Sequence, residues 1–183
     1  MDLVKASKRL AYVLRHRPDS VGLTLAAGGW VGVDELLRAL EQHGTRITRE
    51  DLEYVVANND KRRFVIDGDR IRASQGHSVE VELGLSPVLP PPRLFHGTAR
   101  HNIDSIFLDG LVRGVRHHVH LSGDEQTAIT VGSRHGSPVV LAVDAAAMVA
   151  EGLLFYRSDN GVWLTDHVPY RHLTVVRGAA PVS

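Results

Sequence analysis

Imidazole and guanidinium groups dominate the reactive side chains: this 183-residue chain carries eleven histidines, and arginine outnumbers lysine eighteen to three. Imidazole binds metals or moves protons near neutral pH. Guanidinium presents a planar fork that grips a phosphate through two parallel hydrogen bonds and keeps its charge. Three basic clusters stand out: Arg15-His16-Arg17, Lys61-Arg62-Arg63, and Arg113 with Arg116. One reading has them converge on a single anion. The other leaves them as solvated helix ends and hairpin flanks, in a chain whose arginine excess reflects genome base composition. His118 and His120 lie two apart on a predicted strand and so face the same side. With His96 they would form a three-histidine zinc site with an open position, or simply a hydrogen-bonded strand face.

Other chemistries are excluded. There is no cysteine, which removes disulfide scaffolds, thiolate nucleophiles, iron–sulfur clusters and cysteine zinc sites. Neither a G-x-G-x-x-G after a strand, nor a G-x-x-x-x-G-K-[ST], nor a G-x-S-x-G elbow occurs, and Gly132-Ser133-Arg134-His135-Gly136 reads only as a Gly-flanked loop. Twenty-one basic residues balance twenty-one acidic ones, so a nucleic-acid partner needs local cationic clusters, not a bulk field. Hydrophobic residues at 43% and charged residues at 23% fit a globular chain. No apolar run approaches the roughly 20 residues of a membrane span. The opening residues are charged throughout and lack the apolar core of a secretory signal. The expectation is a soluble, cytoplasmic monomer.

The elements that must position these groups fall into two lobes. Four of the eight prolines lie in the window 85–92, where an extended connector is the natural conformation. This predicts a first lobe over 1–84, a linker over 85–93 and a second lobe over 94–183. In the first lobe, apolar spacing predicts a helix from Leu3 to His16, stopped by Arg17-Pro18. A second is expected from Asp34 to Gln42, and a third from a capping-box-like start at Thr48 to about Ala57. Asp67-Gly68-Asp69 between two apolar-alternating runs predicts a hairpin. Three helices and a hairpin describe a winged helix, used either on nucleic acid or as a packing base. The second lobe alternates short strands and helices: strands at Arg93–His96, His118–Leu121, Pro138–Val143 and Leu173–Val176, helices at Asn102–Leu108 and after Asp144. The fold class is α+β.

A resemblance joins these fragments. Ser7-Lys8-Arg9-Leu10-Ala11-Tyr12-Val13-Leu14-Arg15-His16, then Gly28-Gly29-Trp30-Val31 and Val33-Asp34-Glu35-Leu36-Leu37, resemble the start of the RNA 2′-phosphotransferases. So do Asn59-Asp60-Lys61-Arg62-Arg63-Phe64 and Ile71-Arg72-Ala73-Ser74-Gln75-Gly76-His77-Ser78. Further matches are His96-Gly97-Thr98, Arg116-His117-His118-Val119-His120-Leu121 and Ser158-Asp159-Asn160-Gly161-Val162-Trp163-Leu164-Thr165. They fall in family order over nearly the whole chain. Ser74 stands where the family usually has Asn, and Val119 where Ile is usual.

The resemblance implies a tRNA-splicing-type enzyme that passes an internal RNA 2′-phosphate to NAD⁺. The products are 2′-OH RNA, nicotinamide and ADP-ribose 1″,2″-cyclic phosphate, reached through a 2′-phospho-ADP-ribosylated RNA. It implies a winged-helix RNA lobe joined to an ADP-ribosyltransferase-like NAD lobe, and no metal. It maps the catalytic set onto Arg15, His16, Arg63 and Arg116, with Lys61, Arg62 and Arg72 on the RNA or its phosphates. On the NAD side it carries over His96, Gly97 and Thr98, the glycine admitting the cofactor. His118, His120, Ser122, Arg134, Ser158 and Asn160 complete that pocket. Two other functions fit the same elements: an ADP-ribosyltransferase acting on nucleic-acid terminal phosphates or proteins, and a non-catalytic winged-helix regulator.

Overall fold

The computed structural model describes residues 3–79 and 83–178; residues 1–2, 80–82 and 179–183, and with them the extreme ends of both expected lobes, lie outside the described residues. The chain divides into two compact units, Met1–Leu85 and Ser86–Ser183.

The first unit opens with α1 (Leu3–Arg15), which buries Ala6, Ser7, Leu10, Val13 and Leu14 along one face. The His16 and Arg17 N–H groups both donate to the Tyr12 carbonyl, at 3.0 and 2.9 Å, closing the helix before Pro18. After two 3₁₀ turns comes β1 (Val31–Gly32), then α2 (Val33–Gln42), α3 (Arg49–Ala57), β2 (Phe64–Asp67) and β3 (Arg70–Ala73). The capping box at α3 is formed in full, with Thr48 Oγ1 accepting from the Asp51 N–H and Asp51 reaching back to the Thr48 N–H. Asp34 does not cap α2: Gly32 holds that position, and Asp34 sits in the first turn, where a carboxylate favours the helix dipole. β2 and β3 pair antiparallel across the two-residue turn Gly68-Asp69, with Gly68 at φ +59° as such turns require. β1 adds a third strand on the β3 edge, Val31 opposite Ile71. Leu10, Leu14, Leu36, Leu40, Leu52 and Ile71 are fully buried in one core.

The second unit contains β4 (Arg93–Ala99), α4 (Ile103–Asp109), β5 (Leu111–Val112), β6 (Val119–Leu121), α5 (Glu125–Gly132), β7 (Pro138–Asp144), α6 (Ala145–Ala150), β8 (Tyr156–Arg157), β9 (Trp163–Thr165), β10 (His167–Val168) and β11 (Leu173–Arg177). Its sheets are small and antiparallel, ordered β11-β7-β4, β6-β9-β8 and β10-β5. β7 is central and reads Val-Val-Leu-Ala-Val, every residue buried, as expected of a strand covered on both faces. Asp144 caps α6 by accepting from the Ala147 N–H at 3.0 Å. The β4 and β6 sheets are stitched together where the Phe95 and Ser122 backbones exchange hydrogen bonds of 2.9 and 2.7 Å.

The proline-rich run differs from a bare connector. It lies in the second unit, where the Val88 N–H donates to the Phe155 carbonyl at 2.8 Å and the Pro92 carbonyl accepts from Ala146 at 3.0 Å. Among the described residues no helix is long and apolar enough to cross a membrane.

Candidate functional site

In the first unit the C-terminal end of α1 brings Arg15 and His16 to the loop that carries Arg63. Arg15 Nη2 donates to the Arg63 carbonyl at 3.4 Å. That loop is shaped by Asn59, whose Oδ1 accepts from the Lys61 and Arg63 N–H groups at 3.2 and 3.5 Å. The amide of Asn59 donates to Ser7 Oγ of α1 at 3.0 Å, so loop and helix are tied. Arg62 takes φ +42°, the left-handed region; its carbonyl then accepts from Ser74 Oγ at 2.8 Å, while the Ser74 N–H donates to the Arg63 carbonyl at 2.9 Å. From the same descending segment, the Ser78 N–H donates to the Arg15 carbonyl at 2.8 Å and Ser78 Oγ pairs with His16 Nδ1 at 2.8 Å.

Arg15, His16, Lys61 and Arg63 line a cleft of about 600 Å³ between α1 and the α3–β2 loop, with Tyr12 and Lys8 one and two turns back along α1. Among the described residues Asp60 is the one carboxylate of its lining. A volume of that size takes a nucleotide or more, and the excess of fixed cations selects an anionic one. Arg62 and Arg72 do not line it. Arg72 is spent elsewhere: its guanidinium stacks on Trp30, 4.6 Å from the ring centroid, and donates to the Gly28 carbonyl at 3.3 Å. Arg70 stacks on the same ring at 4.4 Å. The pleat explains the pairing, since residues 70 and 72 share a face of β3.

The second unit gathers His96, Thr98, Arg113, Arg116, His118 and His120 around a cleft of about 290 Å³, with Asn102 and Ser105 beside them. His96 Nδ1–H donates to the His120 carbonyl at 3.0 Å, which leaves Nε2 as its lone-pair nitrogen. Burial holds His96 below the ordinary histidine range; the bond to His120 offsets part of this, and the charge of Arg116 adds to it. Arg116 Nη1 lies 3.2 Å from His120 Nδ1. A guanidinium can only donate, so Nδ1 of His120 accepts and its proton sits on Nε2. His118 is also held low, mainly by burial, against the opposing pull of Asp166. Thr98 is buried and its Oγ1 accepts from Asn102 Nδ2 at 3.1 Å.

Several expected NAD-side residues stand apart from this cleft. Ser158 and Asn160 bond to each other at 2.6 Å within a turn closed by Val162 N–H donating to Ser158 Oγ at 3.1 Å. Arg134 is exposed on the turn after α5, and Ser122 is engaged through its backbone with Phe95. Gly97 does not open space for a ligand along its missing side chain: a Cβ there would lie 1.7 Å from the Ala128 carbonyl oxygen of α5. The sequence reading missed α5 altogether, and Gly132, read as loop, is the matching close contact on the helix, where a Cβ would lie 2.9 Å from the Thr98 oxygen. The three-histidine zinc arrangement is not formed. His96 and His120 each commit Nδ1 to a neighbour, and among the described residues no three histidines or carboxylates gather to hold a metal. Asn59, Ser74 and Ser78 were within quoted motifs, yet only their hydrogen bonds reveal them as the frame of the first cleft.

Comparison with known proteins bears on both clefts at once. The family model described as RNA 2′-phosphotransferase, Tpt1 / KptA family, matches residues 1–167. A protein of Nostoc punctiforme named probable RNA 2′-phosphotransferase is 57% identical over 173 residues, covering 93% of this chain and 96% of its own. Proteins of the same name from Agrobacterium fabrum and Streptomyces coelicolor are 56% and 54% identical, covering 92% and 93% of this chain and the same shares of theirs. A match that runs through both units, and through every motif quoted above, leaves one conclusion: the chain belongs to the Tpt1 / KptA family of RNA 2′-phosphotransferases.

Proposed function

We propose that this protein moves an internal RNA 2′-phosphate onto NAD⁺ in two steps, and that the first unit is a winged-helix RNA lobe and the second an ADP-ribosyltransferase-like NAD lobe. The observation that carries the reading is the Arg15–His16–Arg63 cluster in a cationic cleft, with Arg15 on the Arg63 carbonyl and His16 on the Ser78 hydroxyl. Order of elements supports the lobes: three helices and a hairpin in one unit, small antiparallel sheets in the other.

In the first step a 2′-phosphate oxygen attacks C1″ of the nicotinamide ribose. The C1″–N bond breaks and nicotinamide leaves neutral. Two anions must approach, and at 4 Å two unit charges interact by about 4 kcal/mol at an effective dielectric near 20. Arg15 and Arg63 offset that repulsion, with Arg116 a third cation in the reaction and Lys61 contacting the RNA backbone. In the second step the ribose 2″-hydroxyl attacks phosphorus, and the P–O2′ bond to RNA breaks. The hydroxyl gives up a proton and the departing RNA oxygen takes one; His16 serves that exchange, working through Nε2 because Nδ1 is held by Ser78. Such transfer depends on alignment and charge stabilisation above all.

The second cleft fits half of a dinucleotide. It offers a neutral acceptor at His96 Nε2, a donor at His120 Nε2–H, and the hydroxyl and amides of Thr98 and Asn102. That set suits ribose hydroxyls and a phosphate. An RNA substrate and a chain without cysteine suit the cytoplasm.

The test is incubation with a 2′-phosphorylated oligonucleotide and NAD⁺, with nicotinamide and the cyclic phosphate followed by mass. His16→Ala should accumulate phospho-ADP-ribosylated RNA. Loss of step one with step two intact would overturn the role of His16. A stable ADP-ribosylated acceptor from the native protein would move the reading to a plain ADP-ribosyltransferase.

A further inference from the structure

Ser78 contacts two of the proposed reactive residues at once, from 62 positions further along the chain. Its N–H donates to the Arg15 carbonyl at 2.8 Å, one of the last α1 carbonyls, which has no partner within the helix. Its hydroxyl meets His16 Nδ1 at 2.8 Å. The segment that delivers it is fixed at both ends. Ser74 anchors it to the Arg62 and Arg63 carbonyls, Gly76 turns it at φ +84°, and His77 is buried. Ser78 itself is exposed, so packing does not account for its hydroxyl.

We propose that Ser78 is a positioning residue: its hydroxyl fixes the orientation of the His16 ring so that Nε2 is presented to the phosphate-transfer step. This rests on the reading of His16 given above. The logic is that of outer partners which orient a working imidazole, whose loss costs on the order of ten- to a hundredfold in activity. Because the Ser78 N–H is retained in any side-chain variant, the cap on α1 survives while the imidazole contact is removed.

The experiment compares Ser78→Ala, Ser78→Thr, His16→Ala and the His16→Ala, Ser78→Ala double variant on the 2′-phosphorylated oligonucleotide with NAD⁺. Ser78→Ala should slow the second step about tenfold or more and build up the same intermediate as His16→Ala. Ser78→Thr should restore it, and Ser78→Ala should add nothing in the His16→Ala background. Equal losses in both backgrounds, or Ser78→Ala within twofold of native, would overturn the proposal. Nitrogen-15 NMR of the histidine rings supplies a readout independent of turnover: the native His16 should show Nδ1 in a hydrogen bond, and Ser78→Ala should shift that signal. An unchanged signal sinks the inference. Absence of turnover in the native protein, with the NMR shift present, sinks only the functional reading.

Discussion

In the first unit the side chains proposed to react are tied to a backbone carbonyl and a serine hydroxyl; in the second the histidines of the cleft stand on or beside strands. Arg15, His16 and Arg63 depend on Asn59, Ser74 and Ser78 for their placement. His120 lies between buried Val119 and Leu121 on β6, His96 follows half-buried Phe95 on β4, and the two are set by burial and by Arg116. The contrast follows from charge. A guanidinium cannot be desolvated cheaply, so it is kept at a partly open cleft and steered by polar contacts. A neutral imidazole tolerates burial, and burial in turn keeps it neutral.

Breaking the first arrangement has the largest expected effect. Arg63→Ala removes the two charge-assisted bonds proposed for it, at about 2 kcal/mol each, which lowers kcat/KM on the order of a thousandfold. Steady-state rates with the 2′-phosphorylated oligonucleotide measure it, and a loss under tenfold would count against a phosphate role. Gly97→Ala attacks the second arrangement through packing. Its Cβ overlaps the Ala128 carbonyl, which costs about 3 kcal/mol of stability. Denaturant unfolding can be read per unit, since Trp30 reports on the first and Trp163 on the second; the Trp163 transition should move and the Trp30 transition should not.

Acid sharpens the same contrast. His96 is held below its ordinary value of 6.5 in the folded protein, so the unfolded chain takes up a proton first and stability falls as pH drops below about 6.5. The loss stops accruing below the depressed folded value. Carboxylates held low, such as Asp124 and Glu151, lose their contribution only below their ordinary values of 3.8 and 4.5, so the windows separate. The Trp163 transition should weaken from pH 7 to pH 5, and His96→Asn should reduce that dependence, leaving the share of His118, which is held low as well. Thr48→Ala has the smallest effect: losing half of the α3 capping box costs about 1 kcal/mol, visible in the Trp30 transition alone.

Much of the first unit was legible because its signals are local. Proline ended α1, the Thr48 box opened α3, and Asp67-Gly68-Asp69 turned the hairpin. β1, β5 and β10, of two residues each, carry no periodicity to read, and exist because a neighbouring strand offers an edge. α5 escaped for another reason. Its Thr, Ile, Val and Gly are indifferent helix formers, and the helix is held by Asp124, which accepts from the Thr127 N–H at 2.7 Å, and by contact with β4. At the sites, residue type marked only the basic clusters and the resemblance singled out Arg15, His16 and Arg63 within them, whereas the serines and Asn59 that frame them look like ordinary loop residues until their partners are known. Arg72 shows the converse: a cation placed on RNA by resemblance has its guanidinium on Trp30.

The meeting of Gly97 with Ala128 and Gly132 leaves no side chain between strand and helix. A side chain at Gly97 or Gly132 would force β4 and α5 apart at that contact. His96 and Thr98 flank Gly97 on that strand, so such a separation would displace the residues that β4 contributes to the second cleft.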